Sequence, residues 1–337
     1  MRTFSHPGYK RFLLSVGCLL SIHFTALFFL TLFRLVFFFS ANYDFPDQEH
    51  VGFMSIWPAF IRGVWFDNVI ACYILLIPLV AVSISALFNY YGKILWNVTC
   101  IFFSLFYGIV LLVTAANIPY FQYFFKIINS SVFNWFGYMN TTAGMVFGET
   151  SYYPPLIGFL LTLVLFIWLM RRLIRHFQRL LNTKNPSVFW LDRIYIFLTA
   201  CICIGLCLFG IRGRTGYNPI KVSAAYYCTD PFLNQLGISP VFNLLSSTLD
   251  DSRKENRYLH LMPENEALEN TRHYLNRPGI EGISPIARQI NASDSLRRPN
   301  IVLIFMESMS AHLMKRFGQQ KELTPFLDSL YRQSLAF

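Results

Sequence analysis

Five long apolar blocks dominate the first two thirds of the chain: Phe12–Phe33 (extendable to Ser40), Val69–Phe88, Ile94–Ile118, Pro155–Met170 and Ile194–Ile211. About 20 residues of helix are needed to cross roughly 30 Å of hydrocarbon. Four blocks meet that length, and the uncharged stretch from Thr150 lets the fourth, short one reach it. The predicted element is therefore a transmembrane helix in each case, giving a five-helix transmembrane domain over residues 1–211. The first block is not a cleaved signal peptide, because its apolar core is too long and no small-x-small cleavage site follows before the next span.

After Ile211 the apolar blocks stop. Residues 212–249 mix Arg212-Gly-Arg, Tyr217-Asn-Pro and Pro240-Val-Phe, and read as chain lying along the membrane surface. Residues 250–298 hold eight acidic and eight basic residues. They read as a solvated linker with one helix, Glu264–Leu275, broken by Pro278–Gly282. Together 212–298 form an extracytoplasmic connector and linker. From Pro299 the pattern changes again. Ile301–Met306 is a short, continuous, β-branched apolar run, as expected of a strand buried on both faces of a parallel sheet. Thr324-Pro325 then opens a helix over Phe326–Gln333, and Ser334–Phe337 begins to read as a second strand. The predicted fold class is an α-helical membrane domain of five transmembrane helices followed, over 299–337, by the truncated start of an α/β domain.

Composition narrows the class. Hydrophobic residues make up 54% and charged residues 14%, against about 25% charged in a soluble domain, which excludes a single soluble globule. The same numbers exclude disorder for most of the chain. Of seven Cys, six (Cys18, Cys72, Cys100, Cys201, Cys203, Cys207) sit in apolar runs as small hydrophobes, and only Cys228 has polar neighbours, so this is no disulfide scaffold. Residues 250–337 carry 23 of the 46 charged residues yet contribute only +1 of the net +10. The basic excess belongs to the apolar half, which points to membrane topology and away from nucleic acid.

Lys and Arg in the flanks orient the spans. One set of flanks holds ten: Arg2, Lys10, Arg11, Lys93, Arg171, Arg172, Arg175, Arg179, Lys184 and Arg193. The opposite loops hold two, Arg62 and Lys126, beside Asp44, Asp47, Glu49 and Glu149. The expected localisation is the cytoplasmic (inner) membrane, multi-pass, with the N-terminus cytoplasmic and everything after Ile211 extracytoplasmic.

Three features are candidates for chemistry. Arg34 stands inside the apolar run Phe28–Phe39, where a charge costs about 2.5–3.5 kcal/mol or more unless it is paired or snorkels. Either Arg34 snorkels to the interface, or it pairs with Asp67 near the same face, beside a lipid head group. The loop Tyr120–Pro154 is rich in Phe, Tyr and Trp, including Phe121, Tyr123, Phe124, Phe133, Trp135 and Tyr138. It reads as an interfacial helix that only anchors, or as a platform that receives a lipid. Glu307 ends the run 301–306, at the carboxyl end of the expected strand, where α/β sheets place functional groups. It caps the following helix or serves as a hard oxygen ligand for a divalent cation. Ser308, Ser310 and His312 support such a ligand or cap the next helix. No Asp-His pair lies within reach, so spacing alone leaves both readings open.

The stretch Asn300–Phe337, with NIVLIFMESMSAHLMKRFG followed by LTPFLDSLYRQSLAF, resembles the opening of the catalytic domain of the lipoteichoic acid synthase family. These are membrane phosphoglycerol transferases of the sulfatase and alkaline phosphatase superfamily. The strand ending in Glu-Ser and the Thr-Pro-Phe-Leu of the next helix carry the motif, and five spans, a basic last loop and a linker match the layout. The resemblance implies a sulfatase-like α/β start, with Glu307 a ligand of a catalytic divalent ion, manganese or similar, in the complete enzyme. It implies transfer of phosphoglycerol from a phospholipid such as phosphatidylglycerol to an acceptor alcohol, by way of a metal-activated Thr. Thr324 matches the helix start and not that nucleophile. The nucleophile and the later metal ligands are missing from the sequence, so the expectation is an N-terminal fragment without activity of its own. The alternatives are a phosphoethanolamine transferase or membrane sulfatase of the same superfamily, or a non-catalytic membrane protein or transporter. Few intramembrane charges and no paired broken helices speak against a transporter.

Overall fold

The computed structural model describes residues 6–41, 53–181, 190–253, 261–275, 286–287, 300 and 302–334. They fall into two units, Met1–Leu259 and His260–Phe337.

In the first unit the apolar blocks are helices α1 (Pro7–Ser40), α2 (Phe53–Leu87) and α3 (Lys93–Phe124). A short α4 (Met139–Gly148) follows, then α5 (Tyr153–Leu181) and α6 (Trp190–Arg212). Among the described residues, the five long helices α1, α2, α3, α5 and α6 are long and apolar enough to cross a membrane, so this is a multi-pass membrane bundle. The expected spans are all present. Their helices run further than the apolar blocks, because inside a bilayer every backbone N–H and C=O must be satisfied within the segment. Several Ser and Thr hydroxyls within the spans are satisfied locally: Ser83 donates to Leu79 O at 2.7 Å and Thr114 to Val110 O at 2.7 Å.

α1 lies at the centre and touches each of the other four long helices; α2 packs chiefly on α6 and α1, and α3 on α5. Phe12, Leu19, Ile22, Phe66, Phe103, Tyr107, Phe166 and Ile196 form the fully buried core. Leu161 and Val164 of α5 and Ile202 and Leu206 of α6 remain exposed on the outside, where in a membrane they meet lipid tails.

Beyond α6 the chain does not simply lie along a surface. It forms α7 (Pro231–Leu236) and α8 (Pro240–Ser252), each with Pro in its first turn. Asp230 caps α7 by accepting the Leu233 N–H at 2.9 Å. Phe232, Leu233, Leu236 and Ile238 are buried, so this stretch plugs into the end of the bundle where α1 finishes and α2 begins.

The second unit corrects the sequence expectation. Its helix α9, Glu264–Tyr274, stands where expected, as does α10, Pro325–Gln333. The α/β start does not: no strand occurs among the described residues. Ile301 and residues 335–337 lie outside them, so the second strand is not described apart from Ser334. Residues 302–306 have no regular structure, and their side chains are exposed, Val302 at 82% and Phe305 at 88%. A strand exists only through a partner's backbone. A continuous apolar run reads as a central strand only when both faces are covered. Neither condition holds here, so the described residues form no sulfatase-like α/β start.

Candidate functional site

The polar groups that organise unit 1 gather where α1 ends. Arg34 and Asp67 are 5% and 2% exposed. Arg34 Nη2 donates to Asp67 Oδ2 at 2.6 Å, and Nη1 donates to the carbonyls of Ile238, at 3.1 Å, and Leu236. Of the two readings of Arg34, pairing holds and snorkelling does not. Gly63, one turn before Asp67, leaves the space this requires, because a Cβ there would overlap the guanidinium. Burying two charges is costly, and it is offset only when the remaining donors also find acceptors. Here the carbonyls of Leu236, which ends α7, and of Ile238 just beyond it take up Nη1, while Nε stays buried without a partner. The pair thus clamps the 236–238 stretch onto α1 and α2.

Two further links fasten the same segment. Trp65 Nε1 donates to Gly213 O at 2.5 Å. Gly213 has φ 73°, and a side chain there would meet Ile220, so glycine fits on both counts. Tyr227 donates its hydroxyl to Ser55 O at 2.6 Å, with the Arg62 guanidinium 4.4 Å over its ring. Burial, and after it the nearby Cys228, raise the Tyr227 phenol above its ordinary pKa, while Arg62 pulls the other way. The hydroxyl therefore stays a donor.

At the same end, α3 stops at Phe125 in a left-handed turn, φ 54°. Residues 127–130 lack helical partners and are held by side chains instead. Asn117 Oδ1 accepts the Ile128 N–H at 3.0 Å, and Gln235 Oε1 accepts that of Ile127 at 3.1 Å. Asn243 Nδ2 donates to Ile128 O at 2.8 Å, and Ser247 Oγ accepts the Ser130 N–H at 2.9 Å. This frame carries a 3₁₀ helix, Ser130–Tyr138, that leads into α4. Between α3, the 3₁₀ helix, α4 and α5 lies a cavity of about 640 Å³, walled by Tyr120, Phe124, Trp135, Tyr138, Met145 and Phe159. Its aromatic wall is continuous: the Tyr120 ring lies 4.7 Å from Phe124 and 5.8 Å from Trp135. Tyr123, Phe125 and Tyr138 stay largely exposed around it, as does Lys126. The aromatic loop thus encloses a cavity, which plain anchoring does not require.

Glu307 is exposed, in a turn of unit 2, with Ser308 at φ 59°. Ser310 accepts the His312 N–H at 3.2 Å, so it caps the short turn that follows. Thr324 Oγ1 sits 3.1 Å from Asp328 Oδ2 at the start of α10, consistent with a helix-start role. No group of three or more His, Cys, Asp and Glu able to hold a metal occurs among the described residues. Glu307 was expected as one ligand of a manganese centre completed by residues outside this sequence; here it is a lone exposed carboxylate offering one or two oxygens where such an ion takes about six, so the sulfatase-type, metal-binding description finds no support among the described residues.

The chain matches no family model, no curated protein and no solved structure.

Sequence reasoning brought Arg34, Asp67 and the aromatic loop forward. It passed over Asn117, Gln235 and Asn243. For Asn117 a lone Asn inside an apolar run was the available signal, since burying an amide in hydrocarbon needs a partner.

Proposed function

We propose that this chain takes up a glycerophospholipid such as phosphatidylglycerol and holds it in the aromatic cavity. This is the membrane-side step of the phosphoglycerol transfer whose family residues 300–337 resemble. The single observation that carries the reading is the 640 Å³ cavity, apolar inside and rimmed by exposed Tyr and Phe. Such a lining suits acyl chains within and a head group at the interface. Among the described residues, no Asp, Glu, Lys or Arg lines the cavity. Lys126, in the loop between the lining residues Phe124 and Ile128, is the cation offered to the lipid phosphate. The protein resides in the cytoplasmic membrane with its N-terminus cytoplasmic, so the Arg34 end and the aromatic loop face outward. The ten-to-two asymmetry of Lys and Arg supports that orientation.

Native mass spectrometry of the full chain released from nanodiscs tests the reading. Phosphatidylglycerol should be retained over phosphatidylcholine. Trp135→Ala with Tyr138→Ala should cut retention about ten-fold, and Lys126→Gln should reduce the preference between head groups. Retention unchanged in both variants would sink the proposal.

A further inference from the structure

A second cavity, of about 400 Å³, lies between α1, α2 and α6. Phe24 of α1 and Leu206 and Phe209 of α6 line it and stay exposed at the outer surface of the bundle. In a membrane that surface meets hydrocarbon, so the cavity opens sideways to lipid.

Its polar wall carries two thiols from different helices, Cys72 of α2 and Cys207 of α6. Cys207 Sγ donates to Cys72 O at 3.3 Å, and the two thiol groups interact directly. The helices come this close because residue 210 is glycine: a Cβ there would lie 2.5 Å from Cys72 Sγ. A disulfide joins Cα atoms about 4.4–6.8 Å apart, so it needs a helix crossing of this kind.

Asn68, one turn before Cys72, lines the same cavity and is half-buried. Its Oδ1 accepts from His23 Nε2 at 3.0 Å and from the Cys72 thiol at 3.8 Å. His23 is also hydrogen-bonded to the Ala71 backbone, which fixes the ring and with it the amide. Asn68 Nδ2 has no partner among the described residues. Its N–H groups are left for an acceptor in the cavity. Among the described residues, no Asp, Glu, Lys or Arg lines it, and a charged ligand would enter uncompensated. An uncharged apolar molecule with a carbonyl meets both conditions, and a quinone is one that also oxidises thiols.

We propose that Cys72 and Cys207 form a dithiol–disulfide couple, oxidised by a lipophilic quinone that enters this cavity from the lipid with a ring carbonyl on Asn68 Nδ2. Both S–H bonds break and one S–S bond forms. The two electrons and two protons pass to the quinone, whose carbonyl oxygens become the hydroxyls of a hydroquinone. The disulfide fastens α2 to α6. The inference is independent of the aromatic cavity and stands whether or not a phospholipid binds there.

The test uses the full chain, reduced and kept anaerobic, in phosphatidylcholine nanodiscs. The probe is decylubiquinone, whose fully substituted ring resists thiol addition. The comparators are oxidised glutathione, which is charged and water-soluble, and diamide, a small uncharged oxidant. Decylubiquinone should yield a linked Cys72–Cys207 peptide by mass spectrometry, with about one hydroquinone formed per disulfide, as a two-electron couple requires. The reaction should run at least about ten-fold faster than with oxidised glutathione, whose charges oppose entry. Cys72→Ser and Cys207→Ser should each abolish it, and Cys203→Ser, at a neighbouring thiol of the same cavity, should not. Asn68→Leu should slow the quinone reaction about ten-fold while oxidation by diamide is unchanged. No linked peptide with decylubiquinone, a linkage through Cys203, or an equal rate with oxidised glutathione would each overturn the proposal. So would an undiminished quinone rate in Asn68→Leu. If Asn68→Leu does not fold, the thiol variants and the choice between oxidants in the unaltered protein still decide.

Discussion

Arg34 shows how one side chain can settle a local structure. Its guanidinium is matched by one carboxylate and two carbonyls from separate parts of the chain, so removing either charge strands the other. Arg34→Ala and Asp67→Ala should each destabilise the bundle by about 3–5 kcal/mol. The double variant should recover part of that loss, with a coupling above about 1 kcal/mol in a detergent unfolding cycle. Additive losses would mean that the 2.6 Å contact carries no energy. Gly63→Ala reaches the same point from the opposite side, forcing the guanidinium aside at a cost of about 1–3 kcal/mol. Tyr91, in the turn before α3, offers a pH test. Burial pushes its phenol up to about 12, against a smaller opposing pull from Arg11. A raised folded pKa means that the folded state keeps the proton longer. The associated stability is complete below the ordinary tyrosine value of about 10 and is lost as pH climbs from there to about 12. Tyr91→Phe should therefore flatten part of the alkaline fall in melting temperature over that window, and an unchanged alkaline limb would exclude Tyr91 as a contributor.

At the scale of elements, the frame around residues 127–130 is made of side chains, because no helix or strand is there to serve the backbone. Asn117→Leu keeps the size but leaves the Ile128 N–H unpaired and buried. The expected loss is about 1–3 kcal/mol. Amide exchange at Ile127–Ser131 should accelerate about ten-fold or more while that in the middle of α3 stays unchanged. Uniform acceleration along α3 would show that the frame is not a separate unit. These elements also show which features a sequence can convey. The five spans were legible because a continuous apolar block of sufficient length has one low-cost solution in a bilayer. Helix α9 was legible from its local pattern and its breakers. The run 301–306 was misread because strand formation depends on a distant partner. Buried and exposed apolar runs look alike in one dimension. The plug of Phe232, Leu233 and Leu236 went unseen for a related reason: its composition is mixed, and what buries it is the Arg34 clamp, assembled from three distant segments.

At the scale of the whole bundle, the packing defines an Arg34 end and an opposite end, and the distribution of positive charge gives an expectation for which side of the membrane each end faces. At the opposite end His6 Nδ1 lies 2.7 Å from the fully buried Asp192, and Arg171, Arg172, Arg175 and Arg179 crowd the C-terminal half of α5. Moving that arginine cluster across a bilayer would oppose the bias that positive flanks impose on insertion. The Arg34 end should then be extracytoplasmic. Cys228 is a poor reporter of this, being half-buried with its thiol against Asn234, whereas Tyr217 is 95% exposed in the loop after α6. In a chain with all seven cysteines replaced by Ala, Tyr217→Cys should react with a membrane-impermeant maleimide on intact cells. Asn182→Cys, in the segment between α5 and α6 that lies outside the described residues, should react only after permeabilisation. The reverse pattern would invert the protein. It would place the aromatic cavity and Lys126 at the inner leaflet, and the lipid they receive would have to be drawn from that side.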